Sequence, residues 1–127
     1  MKPAETRLAI GFLIVSSLLL ICAMVACSRP KSAVQYQAHC DKHESLSECN
    51  EYSAGTLAER REFLRKSCVT GGGQFSDGAC PGVKAEVGRC ELAGERRRYF
   101  SDGRMRFTPS AAEHTCQVIE GSWDASR

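Results

Sequence analysis

The chain has 127 residues, a formal net charge of +2 and eight cysteines. Residues 28–127 hold six of those cysteines but only 14 Leu, Ile, Val or Phe side chains. That is too little apolar volume for a large conventional enzyme core, and the charge balance is too mild for a nucleic-acid binder. Scarce aliphatics with abundant cysteine point to a covalently stapled domain outside the cytoplasm.

Lys2 and Arg7 precede an apolar run over residues 8–26, softened only by Gly11, Ser16 and Ser17. A basic start followed by an apolar stretch is the pattern of an export signal. At about 1.5 Å per residue the run nearly spans a hydrocarbon core of about 30 Å. Its length therefore leaves a cleaved signal and a membrane anchor both open. The end of the run separates them, because Met24-Val25-Ala26-Cys27 resembles the lipobox of bacterial lipoproteins. The resemblance implies a diacylglyceryl group on the Cys27 thiol, cleavage after Ala26 and acylation of the new amine. Met24 stands where that family usually has Leu. Cys22 follows Ile21, which is too bulky for the position before the cut. Two or three acyl chains, at about 0.8 kcal/mol per buried methylene, hold a domain on a bilayer. The alternative is an uncleaved inner-membrane signal anchor. Arg29 and Lys31 leave positive charge on both flanks, so charge asymmetry does not choose. Ser28 occupies the place where Asp favours inner-membrane retention in that family, which implies the outer membrane.

The expected organisation is a signal over residues 1–26, a lipidated polar tether over 27–37 and a cysteine-rich domain over 38–127. The domain reads as an imperfect duplication, with units near 38–84 and 85–127. Cys68 is followed by Gly73 and Phe75, and Cys116 by Gly121 and Trp123, at the same offsets. Tyr52 and Phe100 lie equally far before Cys68 and Cys116, and Cys40-Asp41 matches Cys90-Glu91. Thr56 with Glu59 and Ser110 with Glu113 have the spacing of capping boxes, each opening a helix that runs into its cysteine. Gly71-Gly72-Gly73 lacks the Gly-Lys-Ser/Thr continuation of a phosphate loop and fits a helix terminus. Asp77-Gly78 and Asp102-Gly103 are turn dipeptides, the second predicting a hairpin between Tyr99-Phe100 and the segment from Arg104 to Phe107. The predicted fold is α+β: two hairpin–helix–strand repeats with short antiparallel strands.

Six cysteines in an exported domain predict three disulfides. Positions shared by the repeats pair within each unit, as Cys40–Cys68 and Cys90–Cys116. Cys49 and Cys80 both lack counterparts in the second unit, so they are predicted to bond to each other. His39, Cys40 and His43 are clustered, but without a C-x-x-C pair a zinc site is not expected, and redox catalysis lacks the same motif. No cofactor is expected.

The most distinctive surface feature is Arg96, Arg97 and Arg98, followed by Arg104 and Arg106: five arginines against one aspartate over residues 96–106. Outside the cytoplasm such a cluster could face phosphates of lipids or envelope glycans, which arginine contacts in bidentate fashion. The plainer reading is a solvated strand face. For catalysis the inventory is thin, since His39, His43 and His114 are scattered and no G-x-S-x-G or H-E-x-x-H occurs.

The pattern Cys40-x8-Cys49-x-Glu51-Tyr52, Cys68-x3-Gly72-Gly73-x-Phe75, Cys80-Pro81, Gly88-x-Cys90 and Cys116-x4-Gly121-x-Trp123 resembles small cysteine-rich lipoproteins of deltaproteobacterial and myxobacterial type. That resemblance implies an exported, lipid-anchored module and carries over no catalytic residue. The expected function is a structural or protein-interaction role in the cell envelope, with the membrane as partner through covalent lipid. The alternative is a module that binds anionic envelope glycans or lipids through the arginines; a small extracytoplasmic enzyme or inhibitor is weaker.

Overall fold

β1 (Tyr36–Lys42) and β2 (Glu48–Ser53) form a hairpin, joined by the single-turn helix α1 (His43–Leu46). Helix α2 (Ala54–Thr70) follows, then β3 (Gln74–Asp77). A second hairpin, β4 (Glu86–Leu92) and β5 (Glu95–Phe100), leads to helix α3 (Pro109–Val118) and β6 (Ser122–Ala125). The structure, a computed structural model, describes residues 33–126; the signal, Cys27 and the start of the tether lie outside them. The six strands make one antiparallel sheet in the order β3-β1-β2-β5-β4-β6. The α+β fold and the doubled hairpin–helix–strand plan are as expected. The halves, however, share a single sheet, fused along β2 and β5.

Directly paired residues project to the same face of a sheet. Cys40 pairs with Phe75 and Asn50, Asn50 with Arg97, Arg97 with Cys90, and Cys90 with Trp123. One row thus crosses the whole sheet, and the helices bonded to Cys40 and Cys90 lie on its face. α2 packs on β1, β2 and β3, and α3 on β4 and β6. These registers relate the halves by an approximate twofold rotation through the Asn50–Arg97 pair. Even the irregularities correspond, one between Tyr36 and Ala38, the other between Glu86 and Gly88. The rotation places Tyr99, not Phe100, in the role of Tyr52. Tyr99 lies in the core with Cys90 and Cys116, whereas Phe100 faces the other way and packs with Cys49 and Cys80.

The disulfides are Cys40–Cys68, Cys49–Cys80 and Cys90–Cys116, the set the repeat predicts. The first and last each sit inside a small core between sheet and helix, with Tyr52, Leu57 and Leu64 in one and Tyr99 and Ala112 in the other. They explain the shared glycines. A Cβ at Gly73 would lie 2.9 Å from both sulfurs of its bridge, and one at Gly121 would lie 2.2 Å and 2.9 Å from the sulfurs of Cys90 and Cys116. Only a residue without a side chain lets the chain pass over the bridge. Two residues on, Phe75 and Trp123 cover the two cores. A Cβ at Gly88 would lie 2.3 Å from the Trp123 ring, whereas the corresponding Ala38 packs in the core that Phe75 covers. The larger aromatic is matched by the smaller strand residue.

Both long helices begin earlier than the capping-box spacing suggests. Ser53 caps α2, its hydroxyl accepting the Thr56 N–H at 3.4 Å, and Thr108 caps α3, accepting the Ala111 N–H at 3.2 Å. β2 runs straight into α2, so the last strand residue is already in place to cap it. The Thr56 hydroxyl instead donates to the Gly94 carbonyl at 3.0 Å. Pro109 opens α3, as its fixed φ and missing N–H favour. The predicted hairpin at Asp102-Gly103 does not form, because β5 already has β4 on one edge and β2 on the other. β5 turns instead at Ala93-Gly94, and residues 101–108 make an irregular loop. β1 also starts at Tyr36, so the tether ends two residues sooner than expected.

Gly121→Ala is expected to destabilise the domain by about 3 kcal/mol, because the bridge must shift inside a closed core. Gly82→Ala meets nothing within 4 Å and is expected to stay within about 0.5 kcal/mol of the parent. Urea unfolding of the two variants measures the contrast.

Candidate functional site

Strand alternation scatters the arginine cluster. Arg96 and Arg98 project to the face away from the helices, Arg97 to the helix face, and Arg104 and Arg106 lie on the loop after β5. The three strand arginines are neutralised by the protein's own carboxylates. Arg96 donates to Glu91 at 2.5 Å, pairs with Glu51 at 3.4 Å and lies 4.5 Å over the Tyr36 ring. Arg97 donates to Glu95 at 2.8 Å. Arg98, buried, holds Glu86 with two nitrogens and donates to the Cys80 carbonyl at 2.9 Å. The five arginines are therefore not one patch.

What they build is a polar layer on the open face. Glu51 is 1% exposed, accepts the Cys80 N–H at 2.8 Å and lies 3.5 Å from Arg98. Cys80 is thus held at its N–H by Glu51, at its carbonyl by Arg98 and at its sulfur by Cys49. These ties draw the segment between β3 and β4 across the sheet, where Phe100 and Val83 complete a small apolar cluster. Burial pushes the Glu86 carboxyl up, but hydrogen bonds from Arg98 and Arg89 outweigh it and hold the group below its usual range. No feature of the sequence pairs Arg98 with Glu86 or Glu51; only the strand registers bring them together.

Two central strands carry a second polar group on the helix face. Glu48 pairs with Tyr99, Asn50 with Arg97, and Tyr52 with Glu95, so each half supplies one carboxylate and one phenol. Asn50 Oδ1 and the Tyr99 hydroxyl are buried without a hydrogen-bond partner among the described residues. Burial raises the phenol pKa of both Tyr52 and Tyr99, with Glu95 adding to the first and Arg97 partly offsetting the second. Tyr36 is pushed up to about 12, chiefly by burial and by its hydrogen bond to Glu91.

The third site lies at the end of the sheet where β1 and β5 terminate. Ser47, fully buried with φ 55°, accepts the N–H groups of Met105 and Arg106 at 3.2 Å and 3.1 Å, while its carbonyl receives Phe100 N–H at 2.9 Å. The Arg104 N–H donates to the Glu44 carbonyl at 3.2 Å. His43 stacks on Phe100 at 4.4 Å between ring centroids and pairs with Asp102. A Cβ at Gly103 would lie 2.3 Å from the His43 carbonyl. No motif marks Ser47 in the sequence; its role follows only from the meeting of two distant segments.

The candidate zinc residues separate. Cys40 is in a disulfide, and His39 projects to the opposite face, where its Nδ1 donates to the Gly78 carbonyl at 3.0 Å. No group of three or more metal-ligating side chains is placed to hold an ion among the described residues. Nor is any helix there long and apolar enough to cross a membrane. No protein-family model, curated protein or solved structure matches the chain.

Arg98→Leu takes the shared buried cation from Glu51 and Glu86, leaving them only Arg96 and Arg89, and is expected to cost about 3 kcal/mol in denaturant unfolding. All three tyrosines have raised pKa values, so the folded state prefers the neutral phenol. Their contribution to stability is complete below pH 10 and fades as pH climbs through the folded values. Absorbance at 295 nm is expected to show less phenolate at pH 10 in the folded chain than in the unfolded one.

Proposed function

We propose that this protein is a lipid-anchored module of the bacterial cell envelope, attached through Cys27 and serving a structural or protein-interaction role without catalysis. Three disulfides support an oxidising compartment outside the cytoplasm for the folded domain. Agreement between that address and the export signal ending in Met24-Val25-Ala26-Cys27 is the observation that carries the reading. Ser28 favours the outer membrane within it. The polar side chains support the absence of catalysis, since Glu51, Glu86, Glu91, Arg96 and Arg98 are engaged in holding the sheet and its crossover segment.

A module that meets anions is the second reading. It is favoured by Arg104 and Arg106, which have no carboxylate partner among the described residues, and not by the neutralised arginines of β5.

Intact mass of the protein extracted from native membranes tests the anchor. The expected mass starts at Cys27, carries acyl chains and shows the loss of two hydrogens for each of the three disulfides. A mass that retains residues 1–26 without acylation overturns it in favour of an uncleaved anchor. Crosslinking in the intact envelope then separates the roles: a protein adduct supports the structural one, and salt-sensitive retention on lipid or glycan alone supports the other.

A further inference from the structure

The two halves of the sheet match except at one end. In the first half β2 runs directly into a 17-residue helix; in the second, Pro109 delays the helix, and residues 101–108 form a loop where the first turns of α2 have their counterpart. The first hairpin is closed by α1 and Ser47, and the second by a tight Ala93-Gly94 turn. Both departures lie at the same end of the sheet and are bonded to each other through Ser47. The loop is therefore held in shape before any partner arrives, which lowers the ordering entropy of a contact.

Its outer surface combines apolar and cationic groups. Met105 is 59% exposed and Leu46, next to Ser47, is 37% exposed. Arg104 and Arg106 flank Met105, and both are exposed with no ion pair among the described residues. Nearby, Lys42 pairs with Glu48 and His43 hydrogen-bonds Asp102, and Glu44 is an exposed carboxylate beside the two arginines.

We propose that this end of the sheet rests on an anionic phospholipid surface, Met105 and Leu46 entering the headgroup layer while Arg104 and Arg106 contact lipid phosphates. The inference rests on the reading that Cys27 holds the chain at a bilayer. Arginine suits the phosphates, and an apolar tip between cations suits the boundary of headgroup and acyl chain. The apolar part of the patch is two side chains, Met105 and Leu46, a tip and not the roughly 1,000 Å² face of a specific protein interface. Tether length permits the pose. The loop lies one strand, about 23 Å, from the start of β1, while the eight residues between Cys27 and Tyr36 extend to about 28 Å.

The test uses the full chain reconstituted into vesicles with brominated acyl chains, and reads quenching of tryptophan in Met105→Trp against the parent, whose single tryptophan is Trp123. Quenching of Met105→Trp but not of the parent is expected in phosphatidylglycerol-containing vesicles, with little in phosphatidylcholine alone. Adding Arg104→Gln and Arg106→Gln is expected to lower the loop–bilayer equilibrium about 25-fold, about fivefold for each cation near an anionic surface. No quenching beyond the parent, or equal quenching in both vesicles, overturns the inference. Intact mass of the same sample reads the anchor separately. An unacylated chain with anionic-lipid-dependent quenching keeps the loop contact and loses the anchor; an acylated chain without quenching does the reverse; a chain with neither loses both.

Discussion

Each half of this sheet is organised around a disulfide that lies between a strand, a helix and a glycine. The bridge fixes where the helix sits, and the glycine lets the chain pass over it to form the edge strand. With sequence separations of 28, 31 and 26 residues, each bridge removes about 3–4 kcal/mol of unfolded-chain freedom on the entropy account. Small domains have net stabilities of about 5–15 kcal/mol. The buried clusters here are correspondingly modest, and cystine sulfur fills volume that Leu or Ile fills elsewhere.

The features legible in the sequence were those set by covalent bonding and local spacing. The pairings followed from the repeat because Cys40 and Cys90 keep the same relation to their helices. Gly73 and Gly121 were visible as matched positions, but their reason was not, since the sulfurs they clear come from elsewhere in the chain. Spacing from the cysteines matches Tyr52 to Phe100, whereas the registers match it to Tyr99, because strands and helices are offset differently between the halves. Thr56 and Ser110 have the spacing of caps, but Ser53 and Thr108 stand closer to the strand ends and take that role. The arginines show the limit most clearly. A run of like charge says nothing of the carboxylates on other strands, and here the partners of Arg96 and Arg98 come from β2 and β4.

The duplication also sorts the molecule by purpose. Matched positions hold the fold; of the unmatched ones, α1 and the loop over residues 101–108 lie at one end, and the segment tied by Cys49–Cys80 crosses the open face. That third bridge has no counterpart because it holds the connection between the halves, which occurs once. A repeat frees one copy to vary where the other keeps the scaffold intact, and residues 101–108 replace helix without disturbing Cys116 or Gly121.

The seam between β2 and β5 has a consequence for self-association. A sheet assembled from two similar halves invites mispairing, because the same half from another molecule presents nearly the same strand edge. In the native register Asn50 faces Arg97 and Glu51 faces Arg96. Two β5 strands joined with the same geometry would set Arg97 against Arg97 and Arg96 against Arg98, and like charges directly opposed across strands repel. Two β2 strands would oppose Cys49 to Glu51 and leave the latter without a cation. Each half is thereby steered to the unlike half of its own chain, so the charge that first looked like a surface for partners acts as a barrier to strand exchange between molecules.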